Sequence, residues 1–189
     1  MEFTLIYKGS LESNGSLKEK QAIRRVIHPQ LKKLWTYPPL KGFTDENHHY
    51  LSENPPPNKI SIIQRIGFFN FAPLINQKLH LFAEVNIIWL RPEAPGCIIT
   101  QGGDIDNRLK TLFDAFRMPR NQNEIPTGDS PRQEEIPFHC LLEDDNLITK
   151  ISIKTDTLLT PCDDSSYVEL LMWINIKATI PTFGNVGIA

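Results

Sequence analysis

The chain has 189 residues and a net charge of −2; 40% of its residues are hydrophobic and 22% are charged. This balance suits one globular domain that buries its own core, and the charge alone does not indicate a polyanionic partner. The cysteines are odd in number and widely spaced without a C-x-x-C motif, which argues against a disulfide framework or a zinc ribbon and favours reduced thiols in a cytoplasmic protein. No signal peptide or bilayer-long apolar run is visible, so no membrane association is expected.

The first half of the chain predicts one strand, one helix and a long irregular segment. Residues 3–9 are rich in β-branched and aromatic side chains and predict a strand. Residues 17–35 favour a helix, which Pro29 should end or kink near His28. Prolines, asparagines and histidines without periodicity then predict an extended loop over about 36–76, with a short strand and a turn around Pro73 near its end.

The second half predicts strands around one amphipathic helix. Residues 79–90 and 167–180 alternate apolar side chains and predict strands, as do 150–158. An apolar stripe predicts a helix from about Ile105 to Arg117, followed by a polar loop over 119–137. Two helices and about five strands in irregular order predict an α+β fold, with a mixed or antiparallel β-sheet flanked by helices, in one domain covering 1–189.

The helix of the second half begins in the sequence GGDIDNRLK, residues 102–110, which admits two interpretations. Asp104 is a suitable N-cap, and Asp106 in the first turn suits the positive end of the helix dipole, so neither residue needs a further function. However, Asp106, Lys110 and Asp114 follow the spacing i, i+4, i+8 and therefore line one face, distinct from the apolar stripe. Lys110 is then either a helix-stabilising partner of Asp106 or a group placed to stabilise charge on a phosphoryl oxygen.

A second group of acids, Glu143-Asp144-Asp145, lies between apolar segments rather than in a polar loop. Carboxylates beside a core strand cost desolvation free energy unless a partner compensates them, and a divalent cation is one such partner. Mg²⁺ takes hard oxygen ligands, commonly one or two carboxylates together with water and phosphate oxygens. The two acidic groups therefore predict the two halves of a metal site.

These motifs resemble those of the RusA-type Holliday junction resolvases. The family signature is Asp-x-Asp-Asn with a lysine four residues after the second aspartate, a further aspartate in the same helix, and later a paired Asp-Asp. Here the corresponding residues are Asp104 to Asn107, Lys110, Asp114 and Asp144-Asp145. The close match covers about a quarter of the chain, and the segments 36–76 and 119–137 are longer than in typical members.

The resemblance implies a homodimer that binds four-way DNA junctions and cuts two strands with Mg²⁺ or Mn²⁺, in recombination or DNA repair. Asp104, Asp106 and Asp145 would be metal-binding carboxylates and Lys110 the catalytic lysine, while Asp144 joins the metal set less firmly because either acid of the pair could point inward. A homodimer also suits a two-fold substrate that is cut twice.

The basic residues of 18–33 are the first candidates for a DNA surface, and the residues expected to contact DNA are Arg24, Arg25, Lys32 and Lys110. A solvated helix face without a partner remains the alternative. Lys150, Lys154 and Lys177 are secondary candidates on solvent-facing strand positions. Two other functions stay open: a protein of this fold that binds branched DNA without cutting it, and a protein-interaction module.

Overall fold

Four strands form the larger of two sheets in a computed structural model, which describes residues 1–45, 48–92 and 105–189. In sheet order they are β1 (Glu2–Ser10), β7 (Tyr167–Ala178), β4 (Leu81–Arg91) and β6 (Ile148–Thr157). β7 is antiparallel to both of its neighbours, β1 and β4, whereas β6 runs parallel to β4. The predicted strands at 3–9, 79–90, 150–158 and 167–180 are thereby confirmed.

The smaller sheet contains three strands, in the order β2 (Gln64–Ile66), β3 (Phe69–Ile75) and β5 (Phe138–Leu142). The first pair is antiparallel and the second is parallel. Both sheets are therefore mixed, and together with helices α1 (Leu17–Leu34) and α2 (Ile105–Phe116) they confirm the predicted α+β class.

The main core lies on one face of the larger sheet, where alternating side chains of its two central strands are buried. Burial follows the period of two that the sequence carries, because successive side chains of a strand point to opposite faces. The residues of this face are no more than 2% exposed: Leu81, Ala83, Val85, Ile87 and Trp89 of β4, and Val168, Leu170, Met172, Ile174 and Ile176 of β7. Helices α1 and α2 contribute apolar side chains to the same core.

Helix α1 begins at a capping box, in which the Ser16 hydroxyl accepts a hydrogen bond from the Glu19 N–H and the Glu19 carboxylate accepts one from the Ser16 N–H. The helix then continues through Pro29 to Leu34, so of the two predicted outcomes, an end or a kink near His28, the end is wrong. Ile27 and Leu31, on either side of the proline, are both buried in the main core. Burial of both side chains favours the continuous helix over the local preference of proline.

The predicted turn around Pro73 is also wrong. The chain reverses at Gly67 and Phe68, the two residues between the paired Ile66 and Phe69, and Gly67 takes a φ of +60° that suits a tight hairpin turn. Pro73 lies inside β3, beyond the last residue that pairs with β2, so its missing N–H removes no hydrogen bond on that side. The irregular segment predicted for 36–76 therefore ends before β2, and its last part forms two strands where one short strand was predicted.

Candidate functional site

Helix α2 presents its polar face to solvent, as its apolar stripe predicts. Leu112, Phe113 and Phe116 are buried in the core, while Asp106 and Lys110 are exposed. The Asp106 carboxylate accepts a hydrogen bond from the Asn107 N–H at 2.7 Å, which satisfies one free donor of the first helical turn. The prediction for Asp104 lies outside the described residues.

Asp114 belongs to an internal ion-pair network rather than to the open face of α2. Its carboxylate lies 2.8 Å from the Lys20 ammonium and 3.0 Å from the Arg117 guanidinium. Partial burial opposes ionisation, but these two cations hold the pKa of Asp114 below its usual value. Arg117 also binds Glu124 at 2.7 Å, so the network joins α1, the end of α2 and the segment after it.

The acid pair Asp144-Asp145 lies at the junction of β5 and β6. Asp144 caps a short 3-10 helix (Asp145–Leu147) and accepts a hydrogen bond from the Asn146 N–H at 3.0 Å. Arg120 binds both acids: its Nε donates to Asp144 at 3.1 Å and its Nη2 donates to Asp145 at 3.2 Å. Arg120 is the partner that compensates the pair in this structure.

The two carboxyl groups of the pair differ in their protonation equilibria. Partial burial, a hydrogen bond shared with Asp144 and the negative charge of that neighbour raise the pKa of Asp145. Partial burial acts in the same direction on Asp144, but the Asn146 N–H, the shared hydrogen bond and Arg120 outweigh it and lower the pKa of Asp144. A pair that resists carrying two full negative charges suits the binding of a cation.

Glu143, the third acid of this segment, has a structural role. Its Oε1 accepts a hydrogen bond from the Gln64 side chain at 2.6 Å, and its Oε2 accepts one from the Gln77 N–H at 2.7 Å. The residue therefore links β5 to β2 and to the chain after β3. Its two carboxylate oxygens are already engaged, which leaves Asp144 and Asp145 as the candidate ligands of this segment.

Among the described residues, the first half of α2 and the acid pair Asp144-Asp145 lie toward opposite ends of the larger sheet. The first half of α2 lies near the start of β7: Thr111 accepts a hydrogen bond from the Gly15 N–H. Hydrogen bonds from Ser166 and, more weakly, the charge of Arg108 lower the pKa of Asp164, which immediately precedes β7. In contrast, Asn146 and Leu147 line a cleft with Phe82 at the start of β4 and Thr179 after the end of β7.

The same separation is visible along α2. The helical rise places Asp106 and Arg117 about 16 Å apart, and Arg120, which holds the acid pair, comes after the helix ends. The short 3-10 helix contacts α2, but the part of the chain that the structure describes contains no group of three or more His, Cys, Asp or Glu side chains that could hold one metal ion. The adjacent carboxylates of Asp144 and Asp145 fit a hard divalent cation chemically, and any third ligand must come from elsewhere.

The structure corrects the predicted DNA-binding role of Arg24. This side chain is only 3% exposed, and its guanidinium donates to the backbone oxygens of Asp114 at 2.6 Å and Arg117 at 3.2 Å. Burial lowers the pKa of Arg24 to about 10. The residue closes the C-terminal end of α2, where free carbonyl groups favour a cation, and it does not reach the surface.

Two further basic side chains of α1 have internal partners in the segment 119–137. Arg25 binds Glu135 at 2.9 Å and Asp129 at 2.8 Å, and Lys32 donates to the Glu134 carbonyl oxygen at 2.6 Å. Five other lysines are exposed, two within the basic range 18–33 and three that were the secondary candidates: Lys18, Lys33, Lys150, Lys154 and Lys177. The exposed basic groups on and near α1 are therefore fewer than the sequence suggested.

Comparison with known proteins identifies no relative: no family model, curated protein or solved structure matches the chain. The resemblance to the RusA-type resolvases therefore stays a prediction. Among the residues that the structure describes, neither helix combines the length and the apolar character needed to cross a bilayer. Cys140 and Cys162 are free thiols, as the cysteine spacing predicts, and Cys97 lies outside the described residues.

Proposed function

We propose that the protein is a Mg²⁺-dependent endodeoxyribonuclease that cuts branched DNA, with Holliday junctions as the leading substrate. The observation that supports this function best is the acid pair Asp144-Asp145, which a strand junction holds together and Arg120 compensates. Asp106 and Lys110, which are both exposed on the polar face of α2, are the other described residues that the resemblance assigns to this chemistry.

The proposed ligands in one copy of the chain are Asp144 and Asp145; Asp104 and Asp106, which the resemblance also implies, hold the same ion only if a second copy supplies them, because the length of α2 separates Asp106 from the acid pair. When bound, Mg²⁺ or Mn²⁺ supplies Lewis-acid polarisation of the phosphodiester and activation of water. Among the described residues, Lys110 has no ion-pair partner; the ion pairs of α2 are formed by Asp114. Its ammonium group is therefore free to approach a phosphate oxygen and to stabilise the charge that develops there.

A homodimer is part of this proposal. A four-way junction is two-fold symmetric, and two related active sites cut opposite strands at equivalent positions. Arg120 beside the acid pair also reduces the repulsion between these carboxylates and a DNA backbone, since its charge offsets theirs.

The first test is cleavage of a synthetic four-way junction with Mg²⁺. We expect the natural chain to cut the junction and Asp145→Asn to lose at least about 100-fold in rate, since even outer-shell changes at metal sites typically cost about 10–100-fold. Asp163→Asn is the matched control, because Asp163 is exposed in the turn before β7. This variant should cut the junction like the natural chain. Equal cutting by Asp145→Asn, Asp106→Asn and the natural chain would show that the proposed site is wrong.

Binding measurements separate the remaining functions. A junction-binding protein without nuclease activity would bind the junction in a salt-sensitive manner and would keep this affinity in Asp106→Asn, with no cleavage in any metal. An interaction module would show no affinity for the junction even at low salt. Titration of Mn²⁺ into the natural chain and into Asp145→Asn gives a readout independent of cleavage, and we expect weaker Mn²⁺ binding in the variant.

A further inference from the structure

The two edges of the larger sheet differ in how their backbone groups are satisfied. At the β1 edge, the Gln30 side chain of α1 accepts a hydrogen bond from the Ile6 N–H at 2.9 Å and donates one to the Ile6 carbonyl oxygen at 2.7 Å. The carboxamide thus takes the place of a neighbouring strand. A free edge is a template for pairing with another chain, and α1 blocks that pairing on this side.

The opposite edge is β6, and none of the described residues covers its backbone as Gln30 covers β1. In the described part of the chain, this ten-residue strand pairs with β4 only. Ile151 lies opposite Val85, which is fully buried on the core face, yet Ile151 itself is 48% exposed. This isoleucine on the core side of the sheet is half exposed because no strand of the described chain lies beyond it.

We propose that β6 pairs with β6 of a second copy of this chain, antiparallel and across a two-fold axis at Ile153, so that the two sheets become one eight-stranded sheet. In this register Lys150 and Asp156, each three residues from the axis, face each other in both halves of the interface. Ile151 faces Thr155 on the core side, where the second copy covers part of its exposed surface. Opposite charges in directly facing positions stabilise an antiparallel pair.

The charge pattern selects this register over its neighbours. Moving the axis to Ser152 places Lys150 opposite Lys154, and moving it to Lys154 places that residue opposite itself; facing like charges destabilise a strand pair. Lys150, Lys154 and Asp156 are exposed on β6 and are held in no ion pair among the described residues. Charged groups at the free edge are therefore available to a second copy.

The competing explanation is that these lysines protect the edge. Lysine on an edge strand commonly discourages pairing with other chains, and a strand protected in this way leaves the protein monomeric. The two explanations differ in the role of Asp156: protection needs only like charges, whereas the proposed register needs Lys150 and Asp156 to be complementary.

Sedimentation of the full chain over a range of concentrations, without metal or DNA, tests the pairing. We expect a reversible dimer in the natural chain. Lys150→Glu or Asp156→Lys turns two attractive pairs into two repulsive ones and should weaken dimerisation at least about tenfold. The double variant Lys150→Glu/Asp156→Lys restores both pairs and should restore the dimer. Lys177→Glu, on the same face of the central strand β7, is the matched control and should leave dimerisation unchanged.

Cysteine cross-linking tests the register. The background carries Cys97→Ser and Cys162→Ser, while Cys140 stays because it is buried. Residues that face each other across antiparallel strands have Cα atoms about 4.5–5.5 Å apart, within the range of a disulfide. Ile153→Cys should therefore form a cross-linked dimer under mild oxidation and Ile151→Cys should not.

The pairing specifies the interface of the homodimer in the proposed function, but its tests are separate from the nuclease activity because neither measurement needs DNA cleavage. A natural chain that stays monomeric at all concentrations, or a charge-swapped double variant that stays as weak as the single variants, would overturn the proposed pairing. Cross-linking through residue 151 as efficient as through residue 153 would overturn the register.

Discussion

Two buried histidines connect α1 to β5. The His28 Nδ1 accepts a hydrogen bond from the His139 N–H at 2.9 Å, so the His28 ring carries its proton on Nε2, 3.3 Å from the Glu134 carbonyl oxygen. His139 is 3% exposed and lies beside the rings of His28 and Trp35. Burial, with smaller contributions from His28 and Lys32, lowers the pKa of His139 to about 3. The folded protein therefore keeps this imidazole neutral well below pH 6.

This neutral histidine predicts a loss of stability in mild acid. In the unfolded chain His139 takes up a proton near pH 6.5, whereas in the folded chain it does so only near pH 3, so the unfolded state binds more protons between these values. Stability is complete above pH 6.5 and falls with decreasing pH by up to about 1.4 kcal/mol per pH unit from this residue.

The measurement is urea unfolding of the natural chain and of His139→Phe from pH 7 to pH 4.5. We expect the natural chain to lose about 2 kcal/mol more than the variant over this range. The phenylalanine fits an environment that already contains the Trp35 ring, and it removes the titrating group. Parallel pH profiles for the two proteins would mean that His139 titrates normally.

At the scale of elements, the segment 119–137 is held on α1 rather than extended into solvent. Its two short 3-10 helices lie at Gln122–Glu124 and Gln133–Glu135. The Arg25 guanidinium reaches both Asp129 and Glu135, and the buried Glu135 carboxylate also accepts a hydrogen bond from the Arg132 N–H at 3.0 Å. Burial opposes ionisation of Glu135, but these donors hold its pKa below the usual value. Electrostatic contacts therefore hold a segment that has little apolar periodicity.

Glu135→Gln should loosen this segment without unfolding the domain. Hydrogen bonds to charged groups contribute about 1.5–3 kcal/mol each, so we expect a cost of about 1–3 kcal/mol confined to 119–137. Amide hydrogen exchange should show faster exchange in this segment and unchanged exchange in β4 and β7. The neighbouring Glu134→Gln is the control, because Glu134 offers its carbonyl oxygen and not its side chain to α1. Equal effects of the two variants would contradict the role of the Arg25 contact.

The sequence predicted elements where local periodicity matches tertiary burial. The predictions for β4, β7 and α2 are confirmed because the side chains that form the alternation and the stripe are the ones that form the core. The prolines misled the prediction for the opposite reason. Burial of the side chains on both sides of Pro29 offsets the cost of a proline inside α1. Pro73 lies beyond the last residue of β3 that pairs with β2, so no hydrogen bond to β2 is lost. A local rule cannot include contacts that only the fold supplies.

Only the acids of the candidate site and Lys110 could be predicted from the sequence. The spacing of Asp106 and Lys110 and the apolar flanks of Asp144-Asp145 placed these residues correctly on a helix face and at a strand junction. Arg120, which binds the pair from 24 and 25 residues away, lies in a segment without periodicity and gave no sequence signal. Arg24 misled the prediction because its compensation comes from carbonyl groups 90 residues or more away in the chain.

For the molecule as a whole, the ion-pair partners of the basic residues determine which surface can bind a polyanion. The chain carries 20 lysines and arginines against 22 acids, and several of the cations nearest the proposed site are used internally. Arg24 is buried, while Lys20, Arg25, Arg117 and Arg120 are held in ion pairs. A DNA surface on this protein must rely on the exposed groups, among which Lys110 lies on the face of α2 that also carries Asp106.

The salt dependence of junction binding distinguishes exposed cations from internally paired ones. Each lysine or arginine that neutralises a phosphate contributes about 0.9 to the slope of log affinity against log salt concentration on duplex DNA. We therefore expect Lys110→Gln to reduce the slope by about 0.9, and Arg25→Gln to leave it unchanged because its guanidinium is committed to Glu135 and Asp129.

Both residues were expected from the sequence to contact DNA, so the pair of variants tests the structural distinction directly. Fluorescence anisotropy with a labelled four-way junction, from 50 to 300 mM salt and without divalent metal, keeps cleavage out of the measurement. An equal reduction in slope for both variants would mean that Arg25 leaves its acidic partners to bind DNA, and that the segment 119–137 is released from α1 when the junction binds. An unchanged slope for Lys110→Gln would remove Lys110 from the DNA surface, whatever its role in cleavage.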